Sequence, residues 1–305
     1  MIRRAAADTA TTVRGRDGRP RAQAREHSRV WRVPALDGME LFEATYTAHR
    51  FERHAHDTAA IGVVDSGVGE FWCRGESHLV PTDSLILIAP GDMHTGGVHL
   101  PADSPLVYRM FYPSEALVAS LIGHDARELH FRLAAPRDPV LAASLRRLHA
   151  LLRLSPDDGA CGPSFGVLEG ESLLSDTLLA LLRRHGTRRA GAARGVGREP
   201  AAVAVAREYL HTHVAENVSL RTLALLAGDL NPSYFNRAFR AAVGLPPHAY
   251  QVHLRVLRAK ELLAAGHSIS DVAWSTGFAD QSHLTRHFKR QVGVTPARYR
   301  GQLLE

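Results

Sequence analysis

The chain has 305 residues, a length that suits two domains of ordinary size. Hydrophobic residues make up 45% and charged residues 22%, a globular composition that excludes wholesale disorder and a fibrous chain. No stretch approaches about 18 consecutive apolar residues, and no apolar segment lies among the N-terminal arginines, so the pattern argues against a membrane span and an export signal. We therefore expect a soluble, cytoplasmic protein of two domains, each with its own hydrophobic core.

The net charge of +6 is unevenly distributed along the chain. Residues 1–27 hold seven Arg against three acids, and residues 28–185 hold fourteen Arg against twenty acids. Residues 186–200 hold four Arg against one acid, and residues 201–305 hold twelve Lys or Arg against seven acids. An acidic first body, a basic hinge and a basic last segment are typical of a sensor joined to a nucleic-acid binder. Because 35 of the 37 basic residues are Arg, coding composition stays an alternative cause.

A repeat with an offset of 49 residues lies near the C-terminus. Residues 220–250 and 269–299 align without a gap, and nine of the 31 positions are identical. The identical pairs are Ala224/Ala273, Gly228/Gly277, Ser233/Ser282, Arg237/Arg286, Phe239/Phe288, Val243/Val292, Gly244/Gly293, Pro247/Pro296 and Tyr250/Tyr299. One structural unit is therefore present twice.

Each unit has the start and stop signals of two short helices joined by a turn that carries a glycine. In the first unit, Asn231 is the expected N-cap of the second helix and Gly244 its stop. In the second unit, Asp280 and Gly293 take these places. The pattern predicts helix-turn-helix units at about 220–244 and 269–293, a motif whose second helix enters the major groove of DNA.

The second helix of each unit separates an aromatic side from a polar side at about 100° per residue. The polar side carries groups that contact base edges and phosphates: Ser233, Asn236, Arg237 and Arg240 in the first unit, and Ser282, Thr285, Arg286 and Lys289 in the second, with Gln281 and His283 at the margins. A solvated helix face is the alternative for one isolated helix, but Arg at the same register in both units favours DNA recognition. Between the units, residues 251–265 predict a stiff helix with one buried stripe of Leu254, Leu257, Ala259, Leu262 and Leu263. Such a helix would set the two DNA-reading helices about one duplex turn, roughly 34 Å, apart.

Residues 201–301 resemble the DNA-binding domain of the AraC/XylS-type bacterial transcriptional regulators. The resemblance rests on SYFNRAFRAAVGLPPHAY, on LRVLRAKELL and on GFADQSHLTRHFKRQVGVTPARYR. It implies an all-α domain of seven helices with two helix-turn-helix units. By the register of the family, it implies base-facing positions at Ser233, Asn236 and Arg237 in the first unit and at Gln281, Ser282, His283 and Arg286 in the second.

Residues 39–112 contain short β-like runs separated by turn signals, as in a barrel or jelly roll. The segment RHAH at 53–56 and the later run that ends at His94 resemble a cupin barrel, which regulators of this type carry in front of their DNA-binding domain. The expected fold class is therefore α+β and multidomain: an all-β cupin-like barrel with following helices, and then an all-α domain.

Three barrel histidines raise the question of a metal site, because imidazole nitrogens bind transition metals. Cupin metal sites add a glutamate, but Ala60 or Ile61 stands where it would fall. We therefore predict no metal and no cofactor, and expect a small molecule in the barrel mouth. The alternative is that these histidines are bonded internally or are plain structural or surface residues. The candidate lining residues are Tyr46, His54, His56, Trp72 and His94. The two cysteines, Cys73 and Cys161, lack a metal-ligand spacing and are expected to be inert.

Helices are expected at 114–122, 138–154 and 165–185, and the last two are rich in leucine. Dimerisation, which the family resemblance implies, and packing within one chain both account for these leucines. The predicted organisation is a disordered basic arm (1–27), a ligand-sensing and dimerisation domain (28–185), a linker (186–200) and the DNA-binding domain (201–305).

The function predicted is a sequence-specific DNA-binding regulator, not an enzyme, controlled by a small-molecule effector in the barrel. Expected partners are a double-stranded DNA operator, the effector, a second copy of the chain and, as for an activator, RNA polymerase; no membrane partner is expected. The main alternative is a metal-dependent cupin oxygenase or isomerase with an appended DNA-binding module. The second alternative is a constitutive DNA-binding protein whose barrel serves only for dimerisation.

Overall fold

The structure is a computed structural model of the chain, and it describes residues 26–33, 36–100, 104–153, 167–188 and 200–304. Nearly all of the predicted arm, Cys161 and most of the predicted linker lie outside the described residues. Within these ranges, no helix combines the length and the apolar character needed to span a bilayer.

Nine strands form the body of the first domain, in two antiparallel sheets. One sheet has the order β1-β2-β9-β4-β7 and the other β3-β8-β5-β6. The strands are β1 (His27–Val33), β2 (Met39–Tyr46), β3 (Arg50–His54), β4 (Ala60–Ser66), β5 (Val68–Cys73), β6 (Glu76–Pro81), β7 (Leu85–Ile88), β8 (His94–Val98) and β9 (Leu106–Tyr112). Their inward side chains meet between the sheets, and the predicted cupin-like barrel is confirmed.

Three helices pack on the outside of the five-stranded sheet: α1 (Glu115–Ile122), α2 (Pro139–Arg153) and α3 (Val167–His185). Leu145, Leu178 and Phe111 are fully buried in the core that these helices share with the sheet. The short strands β10 (Leu129–Phe131) and β11 (Gly186–Arg188) pair with each other. The first three residues of the predicted linker therefore belong to the first domain, because β11 follows α3 without a break and pairs with β10 of that domain.

The last segment consists of the seven helices that the resemblance implies: α4 (Ala201–Thr212), α5 (Leu220–Leu226), α6 (Pro232–Val243), α7 (Pro247–Ala264), α8 (Ile269–Ser275), α9 (Gln281–Val292) and α10 (Pro296–Leu304). The side chain of Asn231 caps α6, and that of Asp280 caps α9 by accepting from the backbone N–H of His283. Gly244 and Gly293 end these two helices in the left-handed region, each with φ of 85°, which a glycine adopts without strain. Both helix-turn-helix units are confirmed.

Helix α7 connects the two units and is buried on more sides than its apolar stripe predicted. Gln251, His253 and Arg255 are also buried. The Arg255 guanidinium donates to the backbone carbonyls of Val214 and Glu216, each at 2.9 Å. The prediction of one buried stripe was too narrow because α7 packs against both helical units and also faces the barrel.

The barrel and the second helix-turn-helix unit share one continuous core. Phe42 and Tyr108 of the barrel lie in the same cluster of buried side chains as Val256, Phe288 and Tyr299. The first unit has a core of its own, built around Phe235 and Phe239 with side chains of α4, α5 and α7. This division determines how the functional surfaces are held.

Candidate DNA-reading helices and ligand cavity

Helix α6 has the two faces that its sequence predicted. Phe235 and Phe239 are fully buried. The polar side is largely open to solvent: Ser233, Arg237 and Arg240 are exposed and Asn236 is half-buried. Exposed donors and acceptors in this arrangement are free to contact base edges and phosphates.

Helix α9 repeats this arrangement. Leu284 and Phe288 are fully buried. Gln281, Ser282, Arg286 and Lys289 are exposed, and His283 and Thr285 are half-buried. His283 is held by aromatic contacts, since its ring lies 5.3 Å from that of Phe278 and 4.9 Å from that of His287, measured between centroids.

The barrel contacts both α6 and α9 at their last turn, through the glycine that ends each helix. Arg53 Nη1 donates to the carbonyl oxygen of Gly244 at 2.8 Å. Tyr46 Oη and Ser28 Oγ donate to the carbonyl oxygen of Gly293 at 3.2 and 3.3 Å. We call these contacts the barrel clamp. Because Gly244 and Gly293 are equivalent positions of the repeat, the barrel fixes the same point of both units.

The approach at Gly293 is close enough to exclude a larger residue. A Cβ atom at this position would lie 2.9 Å from Phe51 Cε1 and 2.9 Å from Tyr46 Oη. At Gly244, the nearest atom to such a Cβ would be Met93 Cγ at 3.4 Å. The second unit is therefore packed more tightly on the barrel than the first.

Two charged contacts add to the interface between the barrel and the DNA-binding domain. Glu40 of β2 accepts from Lys260 Nζ at 3.0 Å and from Tyr299 Oη at 2.8 Å, and its side chain is only 10% exposed. Arg290 and Glu52 form a solvent-exposed pair at 3.0 Å. The buried cluster is the stronger of the two, because water screens the exposed pair.

A cavity lies between the barrel and the DNA-binding domain. The cavity volume that water-sized molecules can reach is about 100 Å³, which is enough for several waters or a small organic molecule. The walls are mostly apolar, and side chains of both domains carry its polar groups. From the barrel these are Glu40, His54, His56, Glu70, His94, Thr95, Tyr108 and Tyr112, and from α7 and α9 they are His253, Lys260 and Gln291.

The structure brings three of the five predicted lining residues to this cavity. His54, His56 and His94 line it, whereas Tyr46 and Trp72 do not. Tyr46 stacks on His49 with ring centroids 4.4 Å apart and donates to Gly293, and Trp72 lies under the Arg53 guanidinium at 4.0 Å. Both were wrong as lining residues, because aromatic character and strand position do not reveal which side chains the clamp uses.

Three polar lining residues from the second domain could not be predicted from the sequence: His253, Lys260 and Gln291. They are far in sequence from the barrel, and only the packing of the domains brings them to it. One signal was available, since His253 stands within the apolar run of α7. The structure buries His253 and pairs its Nδ1 with Gln291 Oε1 at 3.0 Å.

The barrel histidines form a compact group. His54 of β3 pairs with His94 of β8 across the strands, and their ring centroids are 4.3 Å apart. The His56 ring lies 4.9 Å from that of His54 and 5.0 Å from that of His94. Burial holds the pKa of His54 and His56 well below the usual value and lowers the pKa of His94 to about 4. All three imidazoles are therefore neutral at pH 7.

Comparison with known proteins identifies a matching family for each of the two domains. Residues 38–165 match the family described as AraC-like ligand binding domain, and residues 204–302 match a helix-turn-helix domain. The regulator YbfI of Bacillus subtilis, described as an uncharacterized HTH-type transcriptional regulator, is 30% identical over 250 residues, which cover 81% of this chain and 86% of YbfI. The chain belongs to the AraC family of transcriptional regulators.

Other members of the AraC family are similar over the same extent. The transcriptional activator RhaS of Salmonella agona is 24% identical over 256 residues, covering 81% of this chain and 86% of RhaS. The crystal structure of ToxT from Vibrio cholerae superposes with a TM-score of 0.51 at 12% identity, covering 88% of this chain and 98% of ToxT. The ToxT likeness shows the shared two-domain fold. The two helix-turn-helix units of this regulator are thus those of a DNA-binding domain.

Proposed function

We propose that this regulator recognises a specific duplex through α6 and α9, and that a small molecule in the cavity between barrel and DNA-binding domain controls the recognition. One observation carries the proposal: the cavity and the barrel clamp are built from neighbouring residues. Arg53 of the clamp precedes the lining residue His54, and Gly293 follows the lining residue Val292.

This adjacency gives an effector a direct route to the DNA-reading helices. A molecule that fills the cavity touches β3 and the last turn of α9 together. If it fits better when the two domains are slightly further apart, it weakens the clamp; if it bridges them, it strengthens the clamp. Either outcome requires different effector affinities for the two arrangements, and the same free-energy difference then appears in DNA binding.

The chemistry of the cavity favours a small, largely apolar effector with one polar end. Apolar walls supply most of the contact area, while Lys260 and the imidazoles supply the orienting groups. ToxT, whose fold this chain shares, has been crystallised with (E)-4-(8-methylnaphthalen-1-yl)but-3-enoic acid. Organic acids are therefore the first class of compound to test.

A second copy of the chain and RNA polymerase complete the proposed set of partners, at DNA in the cytoplasm. The leucines that suggested a dimer are partly committed within the chain, since Leu145 and Leu178 are fully buried against the barrel. Val140 of α2 remains 68% exposed and offers apolar surface to a second copy. Sedimentation velocity of the full chain tests the dimer; one monomeric species at all concentrations would contradict it.

The DNA-reading assignment is tested on duplexes selected from a random pool by the full chain. Arg237→Ala and Arg286→Ala should each weaken binding to the selected duplex by about 1–3 kcal/mol and relax its sequence preference. Arg258→Ala is the matched control, because Arg258 is an exposed arginine of the same domain on α7, off the reading helices. Equal weakening on random DNA would contradict base reading by these arginines.

The effector assignment is tested by thermal shift against a panel of organic acids, followed by DNA binding with each compound that stabilises the chain. A true effector at 100 times its Kd adds about 2.7 kcal/mol of stability and changes the DNA affinity. Leu257→Phe, which fills the cavity, should abolish both effects, and Leu225→Phe, at a position 61% exposed, should preserve them. Compounds that stabilise the chain without changing DNA affinity would favour a constitutive binder.

A further inference from the structure

The three barrel histidines have the arrangement of a metal-ligand set. One ring nitrogen from each of His54, His56 and His94 lies within 4.8 Å of the other two. Nitrogens bound to one tetrahedral zinc ion lie about 3.4 Å apart, given Zn–N bonds of about 2.0–2.1 Å. Small changes of the side-chain torsions therefore bring the three nitrogens around one ion, without movement of the strands.

The hydrogen bonds of His54 and His94 point their free nitrogens at this common space. His54 Nδ1 lies 2.7 Å from the carbonyl oxygen of Glu52, and His94 Nδ1 lies 2.9 Å from that of Asp92. A carbonyl oxygen only accepts, so each Nδ1 carries the proton and donates. Each neutral ring then has its lone pair on Nε2, and metal-binding histidines are commonly oriented by this kind of second hydrogen bond.

The described part of the chain supplies no hydrogen bond to the Nε2 atom of either ring, although both rings are buried. Neither atom is among the fully enclosed polar atoms that lack a partner, so both Nε2 lone pairs are open to the cavity. A cation in the cavity can bind both nitrogens. Lys260 also lines the cavity, but its charge is paired with Glu40 at 3.0 Å.

We propose that His54, His56 and His94 bind one divalent first-row transition-metal ion, with a fourth coordination position open to the cavity. Three nitrogen ligands and one open position are typical of zinc sites that keep a place for water or another molecule, and imidazole also suits copper, iron and nickel. The glutamate that the sequence lacks at Ala60 or Ile61 is not required for such a set. The proposal reverses the prediction of no metal, which rested on that glutamate.

The site is tested with Co²⁺ as the probe, on tag-free full chain stripped with a chelator. One equivalent of Co²⁺ should give the visible absorption of a four- or five-coordinate ion, and Zn²⁺ should displace it. His56→Ala is the main variant, because His56 is half-buried and follows β3 in a loop. It should weaken Co²⁺ binding at least 10-fold, the lower end of what loss of a supporting residue costs, and His94→Gln should do the same. His267→Ala, at an exposed histidine on another element, should leave binding unchanged.

A competing surface site is available and must be separated from the cavity. His283 and His287 lie one turn apart on α9, with ring centroids 4.9 Å apart. Binding lost in His283→Ala and kept in His56→Ala would overturn the proposal, as would a chain that is folded by circular dichroism and binds no Co²⁺. If His94→Gln fails to fold, His56→Ala decides alone. The measurement uses no DNA, so its outcome is independent of the proposed regulatory function.

Discussion

The two helix-turn-helix units have the same local design in different surroundings. Both second helices begin at a capping side chain, bury a phenylalanine at the equivalent position, Phe239 or Phe288, and end at a left-handed glycine. Phe239 packs in a core confined to the first unit with α4 and α7, whereas Phe288 packs in a core that continues into the barrel. The repeat therefore specifies the helices, and the neighbouring domain makes the units different.

This difference assigns a different role to each unit. The second unit moves with the barrel, because separating them exposes a shared core. The first unit is tied to the barrel by the Arg53 bond to Gly244 and the contact of Met93. The proposed effector would therefore act mainly on the placement of α6 relative to α9.

The equivalent phenylalanines give the largest expected effects. Phe288→Ala and Phe239→Ala should each cost about 3–5 kcal/mol of unfolding free energy, as for a fully buried aromatic side chain. Hydrogen exchange read by mass spectrometry distinguishes them: Phe288→Ala should also reduce protection in β1 and β2, whereas Phe239→Ala should leave the barrel strands unchanged. Equal loss of barrel protection in both variants would show that the two units are not differently attached.

Lys260→Met breaks the buried charged cluster between the barrel and α7. It leaves the Glu40 carboxylate without its closest cation, while Arg32 stays at 3.9 Å and Tyr299 at 2.8 Å. We expect a loss of about 2–3 kcal/mol, below the about 3–5 kcal/mol for a fully buried pair, because these partners remain. Urea unfolding measures the loss, and Glu40→Gln in the same background should recover part of it. A double variant no more stable than Lys260→Met would contradict the assigned pairing.

Acidification tests the barrel through His149 of α2, one of several buried histidines whose pKa is lowered. Burial, then the charge of Arg109, lowers the pKa of His149 from 6.5 to about 4, and the ring hydrogen-bonds the carbonyl oxygen of Phe42 at 3.2 Å. The unfolded chain therefore takes up this proton first, and stability falls as the pH falls from about 6.5 towards 4. His149 alone should account for a loss of about 2 kcal/mol at pH 5.

His149→Gln should flatten this part of the pH dependence in urea unfolding at pH 7.5 and 5. Acidification also compares the two units. At pH 5 the hydrogen-exchange protection of α9 should fall together with that of the barrel, whereas the protection of α6 should fall less. An unchanged slope in His149→Gln would assign the acid sensitivity to other groups.

The smallest effect is expected at the exposed pair of Arg290 and Glu52. Glu52→Ala should cost less than about 1 kcal/mol of stability, because both side chains are about half exposed and screened by solvent. A two-state melt in low and high salt checks this. A larger loss would mean that this pair, rather than the shared core, holds the second unit to the barrel.

Much of the fold was predictable because its signals are local. The caps at Asn231 and Asp280, the glycine stops and the apolar residues of β2 and β4 are each signals that depend on a few neighbouring residues. Strand β1 was missed, because it lies before residues 39–112, where the strands were expected. The wall of the cavity that comes from α7 and α9 was not predictable, because it depends on the docking of two domains.

The dependence of affinity on half-site spacing tests the central claim most directly. In the selected duplex, the spacing between the sequences read by α6 and α9 is changed by one and two base pairs, and affinity is measured for the wild type and for Arg53→Ala. The barrel clamp predicts that the wild type loses affinity steeply with altered spacing and that Arg53→Ala, with α6 released, loses less. Identical spacing profiles would contradict control of the DNA-reading helices by the barrel.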